Sequence, residues 1–114
     1  MEQRIPGIKI INATNPARFS LFGKEIVLFR EDLHKKLSRN SINIKEDLTE
    51  QREYYIHTIL SQGNLAPTPL QIIPRIWHLG GSMSILPLPD ILILADVVED
   101  FNMSLGNDIL MKKY

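Results

Sequence analysis

Few residues in this 114-residue chain could carry chemistry. His34, His57 and His78 are the only imidazoles. Two histidines grip one metal when they stand two or four positions apart on a strand or helix, and no pair here has that spacing or an adjacent carboxylate run. His57 also falls on the side of its predicted helix away from the apolar stripe, so all three are read as surface or structurally satisfied side chains. Asp90, Asp96, Glu99 and Asp100 form the densest carboxylate group, at and after an apolar run. Acids at strand ends can hold a divalent ion, but acids after a buried strand are also ordinary solvated loop residues. With no histidine or second acidic cluster beside them, the loop reading is preferred. Ser61, Ser82 and Ser84 lack a G-x-S-x-G elbow, and Gly80-Gly81 lacks the Lys-Ser/Thr of a phosphate loop. Arg30, Lys35, Lys36 and Arg39 could meet phosphates, yet Glu31 and Asp32 dilute their field, which fits a solvated helix face. Trp77, Tyr54 and Tyr55 are isolated aromatics beside apolar runs and are expected to pack in a core instead of stacking on bases.

The elements that must position these groups follow from periodicity. Ile8-Lys9-Ile10-Ile11 after Pro6-Gly7 reads as a short strand. Residues 18–22 and 25–29 read as a hairpin whose two-residue turn is Gly23-Lys24, type II′. From Arg30 a helix is expected, with Leu33 and Leu37 four apart, acids in its first turn and bases in its last, the order the helix dipole favours. A second helix is predicted over 48–62, with Asp47 and Glu50 at capping-box spacing, Tyr55, Ile56, Ile59 and Leu60 on one face, and Gly63 as the stop. Pro67, Pro69, Pro74, Pro87 and Pro89 restrict the next region to extended chain. Within it Ile76-Trp77 and Ser84-Ile85-Leu86 flank Gly80-Gly81 as a second hairpin. Ile91-Leu92-Ile93-Leu94-Ala95 reads as a strand covered on both faces, with part of the covering outside the visible chain.

Composition bounds the rest. A hydrophobic content of 44% over 114 residues allows one domain, which would bury roughly 65% of its unfolded surface. Thirteen basic residues balance thirteen acidic ones, so no long-range field draws the chain to nucleic acid or an anionic membrane. The absence of cysteine excludes disulfides and thiolate sites. No signal-peptide core or membrane span is readable, which leads us to expect a soluble intracellular protein. The fold class read from the elements is mixed α/β (α+β).

Four phrases carry a resemblance. They are Thr14-Asn15-Pro16-Ala17-Arg18, the run from Glu25 to Leu33, the run from His57 to Pro67, and Leu86-Pro87-Leu88-Pro89-Asp90 with Ile91 to Asp96. In this order and spacing the chain resembles, over about residues 8–100, the B-subunit family of eukaryotic replicative DNA polymerases in its epsilon branch. The resemblance implies the C-terminal part of a calcineurin-like phosphoesterase domain, a β-sandwich with flanking helices, spanning residues 1–114, with the OB-fold and N-terminal regions of the family absent. In active relatives a Gly-Asn-His-Asp motif and a later Gly-His-x-His motif bind two metals. The matching positions here are Thr14-Asn15-Pro16-Ala17 and Ala95-Asp96-Val97-Val98. Only Asn15 and Asp96 remain of such a site, so the resemblance implies no catalytic residue, no metal and no cofactor. It further implies a nuclear accessory subunit that scaffolds the C-terminal region of the polymerase epsilon catalytic subunit among other replication proteins, touching DNA through the complex and no membrane. A residual metal-dependent phosphoesterase using Asn15, Asp96 and the downstream acids is the alternative, as is a truncated product without independent function. After Asp100 the family continues to Asn-Pro-Gly-Ser-Phe, whereas this chain runs through Asn102-Met103-Ser104 and ends in Met111-Lys112-Lys113-Tyr114.

Overall fold

A computed structural model describes residues 7–42, 47–74, 76–96, 101–105 and 109–112. The elements are β1 (Ala17–Leu21), β2 (Lys24–Arg30), α1 (Leu33–Arg39), α2 (Leu48–Gln62), a 3-10 segment (Trp77–Met83), β3 (Ile91–Ala95), β4 (Asn102–Leu105) and β5 (Ile109–Lys112). The strands form one sheet in the order β1-β2-β3-β5-β4. β2, β3 and β5 run parallel, while β1 and β4 pair antiparallel at the margins. This is the mixed α/β arrangement expected. One sheet with helices accounts for the described residues, and a second sandwich layer is not among them.

The alternation of side chains along strands sorts the sheet into two faces. Val27 and Phe29 of β2 and Leu92 and Leu94 of β3 share one face and are buried. They pack with Leu33 of α1, with Tyr55, Ile56 and Ile59 of α2, and with Leu65, Ala66, Ile73 and Ile85 of the segment that follows. The other face carries Phe19, Leu21, Ile26, Leu28, Ile91 and Ile93. There Phe19, Leu21 and Leu28 are 44%, 52% and 36% exposed.

α2 forms where the sequence places it. The Asp47 carboxylate accepts the Thr49 N–H at 3.1 Å, satisfying one of the helix's orphan donors. Gly63 ends the helix in the left-handed region, φ 60° and ψ 25°, and the N–H groups of Gly63 and Asn64 close onto the Leu60 and Ile59 carbonyls. The chain then makes a wide loop stapled at its base. Leu65 N–H donates to Met83 O at 2.8 Å, and Ile85 N–H to Gly63 O at 3.0 Å.

Several expectations need correction. Residues 8–11 are not in a strand, with Ile8, Ile10 and Ile11 exposed, because among the described residues no strand lies beside them to take their backbone groups. The first hairpin turns one residue earlier than expected. Leu21 pairs Lys24, and Phe22 and Gly23 both have positive φ, 50° and 75°, the signature of a type I′ turn. α1 starts at Leu33 and not at Arg30, since Arg30 still pairs Ala95 and the Glu31 N–H donates to Ala95 O. Glu31 and Asp32 therefore precede the helix. The second hairpin is absent among the described residues. Ser84 bridges Asn64 instead of Ile76, and the Gly80-Gly81 pair lies inside the 3-10 segment, closed by Ser84 N–H to Gly81 O. β3 is fully buried on one face only, because both helices pack against Leu92 and Leu94, while Ile91, Ile93 and Ala95 opposite them are half-buried.

Two turns yield opposite stability effects. Gly63→Ala should destabilise by about 1–2 kcal/mol, since its Cβ would combine the left-handed φ with a 3.3 Å approach to the Leu86 side chain. Phe22→Asn should stabilise by about 0.5–1 kcal/mol, because Asn tolerates the left-handed turn position that Phe resists. Phe22 is 97% exposed, so no packing is lost. Urea unfolding midpoints of the two variants measure both.

Candidate functional site at the carboxyl ends of the parallel strands

β2 and β3 end side by side at Arg30 and Ala95, and open parallel sheets present their functional groups at such carboxyl ends. The residues delivered there are Glu31 and Asp32 after β2 and Asp96 after β3. α1 begins immediately above them. Asp32 is its N-cap by position but makes no side-chain capping bond. The capping carboxylate comes from the neighbouring strand instead, as the His34 N–H donates to Asp96 Oδ2 at 3.0 Å. The Asp32 carboxyl lies close enough to that of Asp96 for the two to interact. That contact, then burial and then the Asp96 charge hold the Asp32 carboxyl above the usual carboxylate range, against the pull of Lys35 and Lys36. Asp32 Oδ1 is buried without a hydrogen-bond partner.

α2 adds Tyr55, whose hydroxyl is likewise buried and unpartnered. Burial, followed by the Asp96 and Asp32 charges, pushes that phenol well above its ordinary value. Its ring meets the His34 imidazole edge-on, with centroids 5.5 Å apart and an interplanar angle of 82°. Glu31 is turned outward, receiving the Lys36 ammonium at 2.7 Å and the Asp32 N–H at 3.1 Å.

Asn15 lies at the same end of the sheet, on the far side of β2. Its amide nitrogen donates to Arg30 O at 2.7 Å and its amide oxygen accepts Arg30 N–H at 2.9 Å. Asn15 precedes a cis bond to Pro16, and its side chain does what a β1 backbone pair would do there. Both halves of the amide are thus engaged. With β2 between them, Asn15 and the end of β3 are roughly two strand spacings, about 10 Å, apart, too far for one ion at about 2–2.5 Å from each ligand.

Of the carboxylates grouped in the sequence, Asp90 and Asp96 are separated in space. Asp90 sits at the opposite end of β3, where Lys24 Nζ donates to Oδ1 at 2.9 Å and the Glu25 N–H to Oδ2 at 2.8 Å. The Lys24 bond foremost, then the Glu25 N–H, hold Asp90 below the usual range. Glu99 and Asp100 lie outside the described residues. Among the described residues no three His, Asp or Glu side chains gather in a metal-holding arrangement. His57 and His78 are exposed and apart from this cluster. Ser61 Oγ donates to Thr58 O and Ser84 Oγ accepts the Leu86 N–H, while Ser82 is exposed in the 3-10 segment that Trp77 opens. Lys35 and Arg39 are exposed, as a solvated helix face requires. Tyr55 packs as expected but Tyr54 does not. It projects from the far side of α2, 70% exposed, because adjacent helical residues differ by about 100° in direction. The Asp32–Asp96 contact with His34 and Tyr55 is not among the sequence expectations. Its one signal in the sequence is an acid close after each of two apolar strands.

The chain matches the family described as the B subunit of DNA polymerase alpha/epsilon over residues 2–103. It is similar to DNA polymerase epsilon subunit 2 of Mus musculus, 36% identical over 102 residues that make up 90% of this chain and 19% of that protein. To the probable DNA polymerase epsilon subunit 2 of Caenorhabditis elegans it is 43% identical over 97 residues, 84% of this chain and 18% of the relative. The DNA polymerase epsilon B subunit of Arabidopsis thaliana is 31% identical over 91 residues, 78% and 17%. The chain therefore spans about a fifth of the length of these relatives.

Two substitutions separate structural polar groups from idle ones. Asn15→Ala should cost about 1 kcal/mol, by freeing an Arg30 N–H and C=O that only water can then meet. Tyr55→Phe should be neutral or stabilising by up to about 1 kcal/mol, since the deleted hydroxyl is desolvated without a partner. Denaturant titration of both variants gives the comparison.

Proposed function

This chain belongs to the B-subunit family of DNA polymerases alpha and epsilon, and we propose that its part in such an enzyme is structural: a non-catalytic portion of the polymerase epsilon B subunit that helps scaffold the catalytic subunit during nuclear DNA replication. The observation that carries the reading is the fate of the two motif remnants. Asn15 spends its amide on the Arg30 backbone and Asp96 spends an oxygen on the start of α1. Both act as internal fasteners, leaving no pair of free donors facing a common point. Pro16 and Ala17 bring no lone-pair donor to the place where active relatives have histidine and acid.

The outer sheet face supports the domain assignment, residues 1–114 as the C-terminal portion of a phosphoesterase-like domain. Phe19, Leu21, Leu28, Ile91 and Ile93 form a contiguous apolar surface of the kind that a second layer covers. The partner in this reading is the C-terminal region of the catalytic subunit, with DNA reached through the assembled complex. No helix among the described residues is long and apolar enough to cross a membrane.

Co-expression with the C-terminal region of the same organism's polymerase epsilon catalytic subunit should yield a complex that survives affinity purification. Soluble chain that never co-purifies argues against the scaffold. In parallel, manganese-dependent phosphodiester hydrolysis should stay at background, with Asn15→Ala and Asp96→Ala indistinguishable from the parent. Hydrolysis abolished by either change would establish the enzymatic alternative.

A further inference from the structure

We propose that Ser41, just past the carboxyl end of α1, is a phosphorylation site for a basophilic serine kinase, and that its phosphate loosens the last turn of that helix. Ser41 stands on exposed chain, and the residue after it, Ile42, is 91% exposed. Arg39 lies two positions before Ser41, Lys36 five and Lys35 six. A kinase that selects substrates by charge pattern reads such upstream cations with acids in its own groove, and a guanidinium is the cation best matched to a carboxylate there. Arg39 and Lys35 are both exposed.

Ser38 is the rival acceptor, with Lys35 and Lys36 three and two positions before it. It is half-buried inside the helix, so presenting it on extended chain would take α1 apart. Ser41 is already outside. Only the last turn must open to bring Arg39 into line, and that turn is lightly held. Leu33, the one buried side chain of α1, is at the other end, and the last turn sets only the half-buried Leu37 against the core. Its carbonyls are closed by the two residues that follow the helix. Asn40 Nδ2 donates to Lys36 O at 2.7 Å and Ser41 Oγ to Leu37 O at 2.7 Å, while the Asn40 and Ser41 N–H groups reach Leu37 O and Ser38 O at 3.1 and 3.4 Å.

The transfer joins Ser41 Oγ to the γ-phosphorus of ATP, breaks the bond from that phosphorus to the β–γ bridging oxygen, releases ADP and passes the hydroxyl proton to the kinase's catalytic aspartate. The esterified oxygen has no hydrogen left to give Leu37 O. The phosphate also brings about two negative charges to the negative end of the helix dipole. Lys35 and Arg39 offset part of that repulsion, but exposed ion pairs are weak, and Lys36 is already held by Glu31 at 2.7 Å. The first turn is spared, because Asp96 holds the His34 N–H at 3.0 Å.

The test uses the full 114-residue chain, ATP and the catalytic subunit of cyclic-AMP-dependent kinase as the basophilic probe. Fragment mass spectra should place one phosphate on Ser41. Ser41→Ala should abolish it, Ser38→Ala should leave it, and Arg39→Gln should slow it several-fold, with circular dichroism confirming that each variant keeps the parent fold. Hydrogen exchange at the Asn40 and Ser41 amides should quicken several-fold on phosphorylation, while the His34 amide keeps its protection. No modification, phosphate on Ser38 in place of Ser41, or an Arg39→Gln rate equal to the parent's overturns the site. Unchanged exchange at Asn40 and Ser41 in the phosphorylated chain overturns the loosening.

Discussion

The parallel pairing of β2 with β3 is the constraint on which the rest of this structure depends. Antiparallel neighbours can be joined by a tight turn, but parallel ones require the chain to leave one end of the sheet and re-enter at the other. Here the return occupies everything between Arg30 and Ile91, and α1, α2 and the proline-rich loop are all part of it. Their apolar side chains converge on Val27, Phe29, Leu92 and Leu94, so a single crossover supplies most of the described inner core, with Phe101 and Met103 packing against it from beyond β3. On the other sheet face Phe19, Leu21 and Leu28 stay exposed.

The same constraint explains the location of the polar cluster. When two parallel strands end together, the residues after them are forced into proximity whatever their separation in sequence. Asp32 and Asp96 are 64 positions apart yet meet below the first turn of α1. The nearness of Asp96 then holds the Asp32 carboxyl above the usual carboxylate range. Asp90, at the other end of β3, shows the contrasting outcome: open to solvent and matched to Lys24, it stays readily ionised.

How much of this is legible in the sequence depends on whether the signal is local. α2 is legible to the residue, because its cap, apolar stripe and glycine stop lie within one stretch of chain. β3 is legible from its apolar run, but its covering is not, since which face a crossover occupies is a tertiary property. The hairpin is present with its turn one residue from the expected place. Gly23 invites a glycine-first turn, whereas the register that pairs Phe19 with Ile26 and Leu21 with Lys24 puts Phe22 in the turn despite its side chain. The Ile8–Ile11 run and the Gly80-Gly81 pair have the composition of a strand and a hairpin turn but, among the described residues, no strand partner to complete them. In the candidate site, Asn15 and Asp96 stand out as residues, but what each grips is invisible in sequence, because a side-chain bond to a distant backbone leaves no periodic trace.

One side chain remains whose reach alters how force would travel through the fold. Arg18, on the marginal strand, extends its guanidinium to the carbonyls of Ile85 and Pro87 at 3.0 and 3.1 Å. The hairpin is thereby tethered to the segment that feeds β3, by a route that bypasses the ladder between β2 and β3. Tension applied ahead of the hairpin would be shared between that ladder and this strut, so the two parallel strands would separate only after the guanidinium let go.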